Sequence, residues 1–243
     1  MALHFVVDAA ADARVGDRVV LTGAEAHHAA TVRRVREGEQ ITLGDGRGAW
    51  LTAECESVAP HEVAVRVIAR DDLPAPTSRI VLVQALAKGD RGELAVQAAT
   101  ELGVDEIIPW QAARSVSRWE GAKKTKGRAR WQAIAREAAK QAHRAWIPEV
   151  AEVATTRQLL TRAEASRLVV LEPSGAERLS AVDLAGEGEI VLIVGPEGGI
   201  APEELTTFAD AGAVIAVLGD TVLRTSTAGP AAMAVVSTRL GRW

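Results

Sequence analysis

Apolar positions fall into two regimes that meet near residue 75. Between residues 1 and 73 they form short strand-like runs: Leu3 to Val7, Arg18 to Leu21, Gln40 to Leu43, Ala49 to Ser57 and Val63 to Ala69. Turn chemistry such as Gly44-Asp45-Gly46-Arg47-Gly48 separates them. Thr22-Gly23-Ala24-Glu25 has the spacing of a capping box, in which hydroxyl and carboxylate satisfy free N–H groups, so a helix running to about Val35 is predicted. The pattern predicts a small β barrel or sandwich over residues 1–73.

Asp71-Asp72-Leu73-Pro74-Ala75-Pro76-Thr77-Ser78 has the charge and prolines of an exposed linker. From residue 79 to 243 strands and helices alternate. Ile80 to Val83, Glu106 to Pro109, Leu168 to Leu171, Ile190 to Val194 and Val214 to Leu218 are apolar runs without polar alternation. Helical stretches are predicted at 92–102, stopping at Gly103, and at 127–146, 155–166, 202–211 and 227–240. Unbroken β-branched runs between helices predict a parallel sheet covered on both faces.

With 243 residues, 48% of them apolar, the chain can bury a real core, which excludes disordered and fibrous classes. Cys55 is the only cysteine, so no internal disulfide or cysteine zinc cluster can form, and it is expected as a small core side chain. His27, His28, His61 and His143 show no ligand-like grouping, and no metal is expected. The start, Met1-Ala2-Leu3-His4-Phe5, shows no basic region followed by a long apolar run, and no run approaches the roughly 20 apolar residues of a membrane span. A soluble, cytosolic protein is expected. The net charge of −4 hides an asymmetry: residues 110 to 146 hold ten Lys or Arg against Glu120 and Glu137, a local +8.

Three loops leave predicted strands at what should be one sheet edge, where open α/β sheets bind ligands. Gly195-Pro196-Glu197-Gly198-Gly199-Ile200 follows the strand ending at Val194. Its glycines let the backbone approach a ligand, and Pro202-Glu203-Glu204 then opens a helix. It is neither a Walker P-loop nor a dinucleotide fingerprint, and Glu197 would repel phosphate but suit a cation. A tight structural turn explains the glycines equally well. The second loop, Leu218-Gly219-Asp220-Thr221-Val222-Leu223-Arg224-Thr225-Ser226-Thr227, sets Arg224 beside hydroxyls that can cap the last helix. The third is Leu171-Glu172-Pro173-Ser174-Gly175.

These loops, together with His28, Val32-Arg33-Arg34, Gly38 to Gly46, Gln84-Ala85-Leu86, Lys88-Gly89-Asp90, Glu101 to Val104, Arg114-Ser115, Glu137 to Gln141 and Arg144 to Pro148, resemble the bacterial methyltransferases that act on N3 of a 16S ribosomal RNA uridine. That family belongs to the SPOUT class, and the resemblance covers nearly the whole chain. It implies an α/β fold: a C-terminal knotted parallel-sheet domain with a small N-terminal PUA-like β-barrel domain, assembled as a homodimer. It further implies S-adenosyl-L-methionine held by Leu171, Glu172, Gly175, Val194 to Ile200, Leu218, Gly219 and Val222 to Thr225, with Arg224 and Glu197 as catalytic candidates. The sequence departs from the family at Ser226, where a Glu is common, and at Leu3-His4-Phe5, where the family offers an Arg. His4 either substitutes for that Arg or is a surface residue at a strand start.

An RNA partner, the small ribosomal subunit, accounts for the basic stretch, since each neutralised phosphate releases a counterion. Expected phosphate contacts are Arg33, Arg34, Arg114, Lys123, Lys124, Lys126, Arg136, Lys140 and Arg144. Trp110, Trp119, Trp131 and Trp146 share the stretch, and unpaired bases stack on such rings. The helical spacing assigns Trp131, Ile134, Ala138, Ala142 and Ala145 to the buried side. Two other readings stay open: ribose 2′-hydroxyl methylation by the same knotted class, and a non-catalytic RNA-binding assembly factor.

Overall fold

The computed structural model describes residues 3–184 and 188–243. The chain divides into two compact units, one of residues up to Ala75 with Ala139–Ile147, the other of Pro76–Ala138 with Pro148–Trp243.

In the first unit, β1 (His4–Val6), β2 (Arg18–Thr22), β3 (Gln40–Gly44), β4 (Ala49–Ala59) and β5 (Glu62–Asp72) form one sheet in the order β1-β3-β4-β5-β2. Only β1 and β3 run parallel. Ala49, Leu51, Ala53 and Cys55 alternate inward along β4, as a period of two requires. Pairing of β4 with β5 slips at Thr52/Ala53 and at Cys55/Ser57. Such bulges bend and twist strands. The curled sheet wraps Phe5, Leu21, Ile41, Leu43, Leu51 and Val65.

The predicted capping box at Thr22 does not form. The chain makes α1 (Gly23–His27) and a wider helical turn to Val32, and the Thr22 side chain caps nothing. Glu25 instead accepts a hydrogen bond from Lys140 Nζ at 2.8 Å, and the two side chains are only 16% and 8% exposed. A buried ammonium left alone would cost more than an open helix terminus, so the carboxylate is drawn to it. Lys140 belongs to α3 (Ala122–Gln141), which ends sooner than the expected 146. His143 turns left-handed (φ 54°), while the His143 and Arg144 N–H groups donate back to Lys140 O and Ala139 O. This closing motif usually employs glycine. The following residues then hydrogen-bond to the β3–β4 turn, Gly48 N to Ala145 O and Ile147 N to Gly46 O.

In the second unit β6 (Arg79–Ala85), β7 (Glu106–Trp110), β8 (Glu149–Val150), β9 (Ser166–Leu171), β10 (Glu177–Arg178), β11 (Glu189–Val194) and β12 (Val214–Val217) are all parallel, in the order β10-β12-β9-β11-β6-β7-β8. The helices are α2 (Arg91–Glu101), the body of α3, α4 (Thr156–Leu159), α5 (Pro202–Asp210) and α6 (Thr225–Arg239). Two apolar layers flank the sheet: Leu82, Leu192 and Val169 face α2 and α6 residues such as Val96 and Met233, while Val83, Ile193 and Val170 join Phe208 and Trp110. The continuous apolar strands have this two-sided burial as their cause. α2 stops at Gly103 as predicted, with φ 91° and Val104 N donating to Ala99 O.

The expected helix over 155–166 is a single turn, α4, with a short 3-10 turn to Arg162. The chain has to release Arg162 toward the sheet and begin β9 at Ser166. Arg162 reaches Glu106 Oε1 and donates to Glu189 Oε1 at 2.8 Å, and Arg79 bonds the other oxygens of both carboxylates. Ser166 Oγ donates to Glu189 as well. This cluster ties the amino ends of β6, β7, β9 and β11.

Candidate active site

The three loops converge because their strands are neighbours in register. Val194 pairs with Leu171, Leu171 with Ala216, and Val194 with Gln84 on the other side. All three chains therefore leave the sheet at one level of its carboxyl edge. They enclose a cleft of about 350 Å³, within the range of roughly 300–1,000 Å³ that small-molecule sites occupy.

Leu171 and Glu172 line it from the first loop, Val194, Gly195, Pro196, Glu197, Gly199 and Ile200 from the second, and Leu218, Val222, Leu223, Arg224 and Thr225 from the third. Gly175, Gly198 and Gly219 do not line it. Gly175 has a packing role: a side chain there would lie 2.6 Å from Ala216 C and 2.8 Å from Val217 N. Its absence lets the first loop lie on the backbone of β12. Gly198 faces Arg114, whose Nη1 donates to its carbonyl at 3.3 Å.

Glu197 is tethered. Its Oε1 accepts from Lys88 N at 3.0 Å and from Arg91 Nη1 at 2.8 Å. Desolvation pushes this carboxyl upward, but hydrogen bonds from its own N–H, from Arg91 and from Lys88 outweigh that and hold it below the ordinary carboxylate range. A carboxylate already supplied with donors is a weak proton acceptor. Through these two contacts Glu197 ties the glycine loop to the β6–α2 turn. By contrast, the half-buried Glu172 carboxylate makes no hydrogen bond or ion pair with a described residue.

Behind the cleft, Gln84 Nε2 donates to Thr225 Oγ1 at 2.9 Å and Thr225 Oγ1 donates to Gly195 O at 2.8 Å. Arg224 stands exposed at the rim as the residue before α6, in extended conformation, with no described residue paired to its guanidinium. A second brace holds the floor of the glycine loop. Glu204 accepts from Ala113 N at 3.0 Å, from Thr156 Oγ1 at 2.6 Å and, through its other oxygen, from Ala201 N.

Among the basic residues, Arg33 and Arg34 are exposed in the first unit, and Arg114, Lys123, Lys124 and Lys126 in the second. Arg136 and Arg144 are half-buried. Lys140 is corrected: buried against Glu25, it has no open face for a phosphate. Trp131 is core, as its spacing implied. His4 is not a surface residue but 7% exposed, stacked on Trp50 at 4.2 Å with Nδ1 bonded to Thr42.

Pro173 and Thr221, within the predicted loops, also line the cleft, whereas sequence reasoning missed Arg91, Val217 and Ala228 as lining residues and the Gln84 and Glu204 braces. Arg91 follows the Lys88-Gly89-Asp90 run directly, and a polar run at the mouth of a buried strand was its available signal.

A parallel sheet whose adjacent carboxyl ends enclose a cleft, in a chain that also carries a curled β unit, is the architecture that family comparison assigns to the RNA methyltransferases. Residues 74–237 match the RNA methyltransferase domain family and residues 21–68 the RNA methyltransferase PUA domain. The Mycobacterium bovis protein called Ribosomal RNA small subunit methyltransferase E is 44% identical over 248 residues, covering 100% of this chain and 94% of that one. The Bacillus subtilis protein of that name is 36% identical over 227 residues, 89% and 88% of the two chains. A crystal structure of the Neisseria gonorrhoeae ribosomal RNA small subunit methyltransferase E bound to S-adenosyl methionine is similar with a TM-score of 0.88, at 31% identity over 98% of each chain. The chain belongs to the ribosomal RNA small subunit methyltransferase E family.

Proposed function

We propose that this protein, as a cytosolic homodimer, methylates N3 of a uridine in 16S ribosomal RNA of the small subunit, with S-adenosyl-L-methionine as donor. The observation that carries this reading is the cleft formed by three in-register strand ends, with Arg224, paired to no described residue, at its rim. The residues present fit the donor. Leu171, Val194, Ile200 and Leu218 offer apolar walls, and Glu172, whose carboxylate pairs with no described residue, suits a cationic ligand. Bound there, the donor supplies a methyl group made electrophilic by positive sulfur.

This chain's residues then have two tasks. The loops align the methyl with the nucleophile, which removes much of the entropic barrier. Arg224 stabilises the negative charge that spreads over the uracil oxygens once N3 loses its proton. N3 lies on the pairing edge, so the uridine must be unpaired or extruded. The tethered Glu197 leaves that proton to solvent at the open rim. Arg33, Arg34, Arg114, Lys123, Lys124 and Lys126 hold the RNA through its phosphates.

Incubation with unmodified small subunits and labelled donor, followed by mass spectrometric mapping, tests the reading. Label on a uracil ring in RNA that stays cleavable by alkali supports it. A label that blocks alkaline cleavage identifies ribose methylation instead, and calorimetry showing no donor affinity returns the protein to a non-catalytic role.

A further inference from the structure

Residues of the segment 89–93 line two neighbouring cavities. Arg91 faces the cleft described above, while Gly89, Gly92 and Glu93 line a second cavity of about 150 Å³ closed by Ser117, Trp119, Gly127, Arg130 and Trp131. Its walls are built around two indoles. A side chain at Gly127 would lie 2.5 Å from Trp119 Cε2, and one at Gly92 would lie 2.7 Å from Trp131 Cζ2. Both glycines sit in helices, where glycine costs about 1 kcal/mol relative to alanine. With no side chain at either position each ring rests on bare backbone, and the two rings meet edge to face at 5.1 Å.

The rings differ in exposure. Trp131 is 4% exposed and belongs to the core, whereas Trp119 is only half-buried. The Trp119 N–H donates to Gln111 Oε1 at 3.0 Å, which fixes its backbone. Around it lie Ser117 and the Arg130–Glu93 pair, bonded at 2.8 Å, and in sequence it adjoins the exposed Arg118, Lys123, Lys124 and Lys126.

We propose that this second cavity receives one unpaired base of the RNA substrate, stacked on Trp119, beside the methyl-transfer cleft. The inference rests on the reading of the chain as an RNA methyltransferase. The volume lies below the roughly 300 Å³ at which sites for whole drug-sized ligands begin, and suits a single planar ring. A partly exposed indole with nearby cations is the combination that binds unpaired bases in single strands. Ser117, Glu93 and Arg130 supply a donor, an acceptor and a cation for the base edge.

The test uses the full chain. In an amide and indole NMR titration with uridine monophosphate and with a short oligouridylate, the Trp119 indole resonance, assigned from Trp119→Phe, should shift. The Trp110 indole, bonded to Thr156, should not. In methyl transfer to small subunits, Trp119→Ala should raise KM for RNA about tenfold, the loss of one stacked base. It should leave donor affinity and kcat near wild type, and Trp119→Phe should restore most of the loss. Gly127→Ala, which displaces the ring, should behave like Trp119→Ala. A still Trp119 resonance under saturating oligouridylate overturns the proposal even if Trp119→Ala fails to fold. So does an unchanged KM in a folded Trp119→Ala. Neither result touches the assigned activity, which labelling of wild-type substrate decides separately.

Discussion

The Thr225 hydroxyl donates to the Gly195 carbonyl at 2.8 Å, which binds the last loop of the cleft to the glycine loop. Because Thr225 also accepts from the fully buried Gln84 amide, Thr225→Val would leave Gln84 without that acceptor. An unsatisfied buried group costs about 1–3 kcal/mol. The variant should melt earlier and bind S-adenosylmethionine at least tenfold more weakly by calorimetry, while Thr225→Ser should stay close to wild type.

Arg224→Ala should lower kcat by about 10²- to 10³-fold, the loss seen when one preorganised donor to a developing charge is removed. No described residue pairs with its guanidinium, so the melting temperature should hold. Single-turnover rates together with calorimetry separate the two effects.

If Glu197 anchors the loop and is not the base, Glu197→Gln should keep the Lys88 contact and cost less than about tenfold in kcat. The rate should climb with pH without a plateau set by a carboxylate, in mutant and wild type alike. A pH–rate profile that flattens in wild type and not in the mutant would assign the proton to Glu197.

The lysines of one helix should separate by function. Lys140→Ala leaves Glu25 buried and alone, a change that typically costs about 3–5 kcal/mol. It should lower stability without changing the salt dependence of RNA binding. Lys124→Ala should do the reverse, reducing the slope of log K against log salt by about 1.

Burial, together with the nearby charges of His143 and Lys140, pushes His4 from 6.5 down to about 4. In the unfolded chain His4 takes up a proton near pH 6.5, while in the folded one it resists until about 4. Stability therefore falls as pH drops through that window, by roughly 3 kcal/mol in total. Urea unfolding between pH 7 and 4 should show this slope, and it should shrink in His4→Phe.

The features that the sequence displayed were those that local chemistry dictates. Unbroken runs such as Ile190 to Val194 marked two-sided burial, Gly103 marked a helix stop, and the strand-then-glycine pattern at 194–199 marked a loop at the sheet edge. What stayed hidden depends on partners far away in the chain. Glu25 had the right spacing to cap a helix, yet Lys140, 115 positions later, claims it. Glu197 had the look of a cleft acid, but Arg91 neutralises it from 106 positions away. His143, with nothing glycine-like about it, closes α3 in a left-handed turn. At Glu25 a long-range charge contact outweighed a capping preference worth only about 1 kcal/mol.

The Arg162, Arg79, Glu106 and Glu189 cluster grips the strands at their amino ends, opposite the cleft. Firmness and chemistry are thereby mounted at opposite poles of the same parallel staves. Changes in that grip, ion by ion, would alter how firmly the sheet holds while the loops that enclose the cleft at the other pole stay as they are.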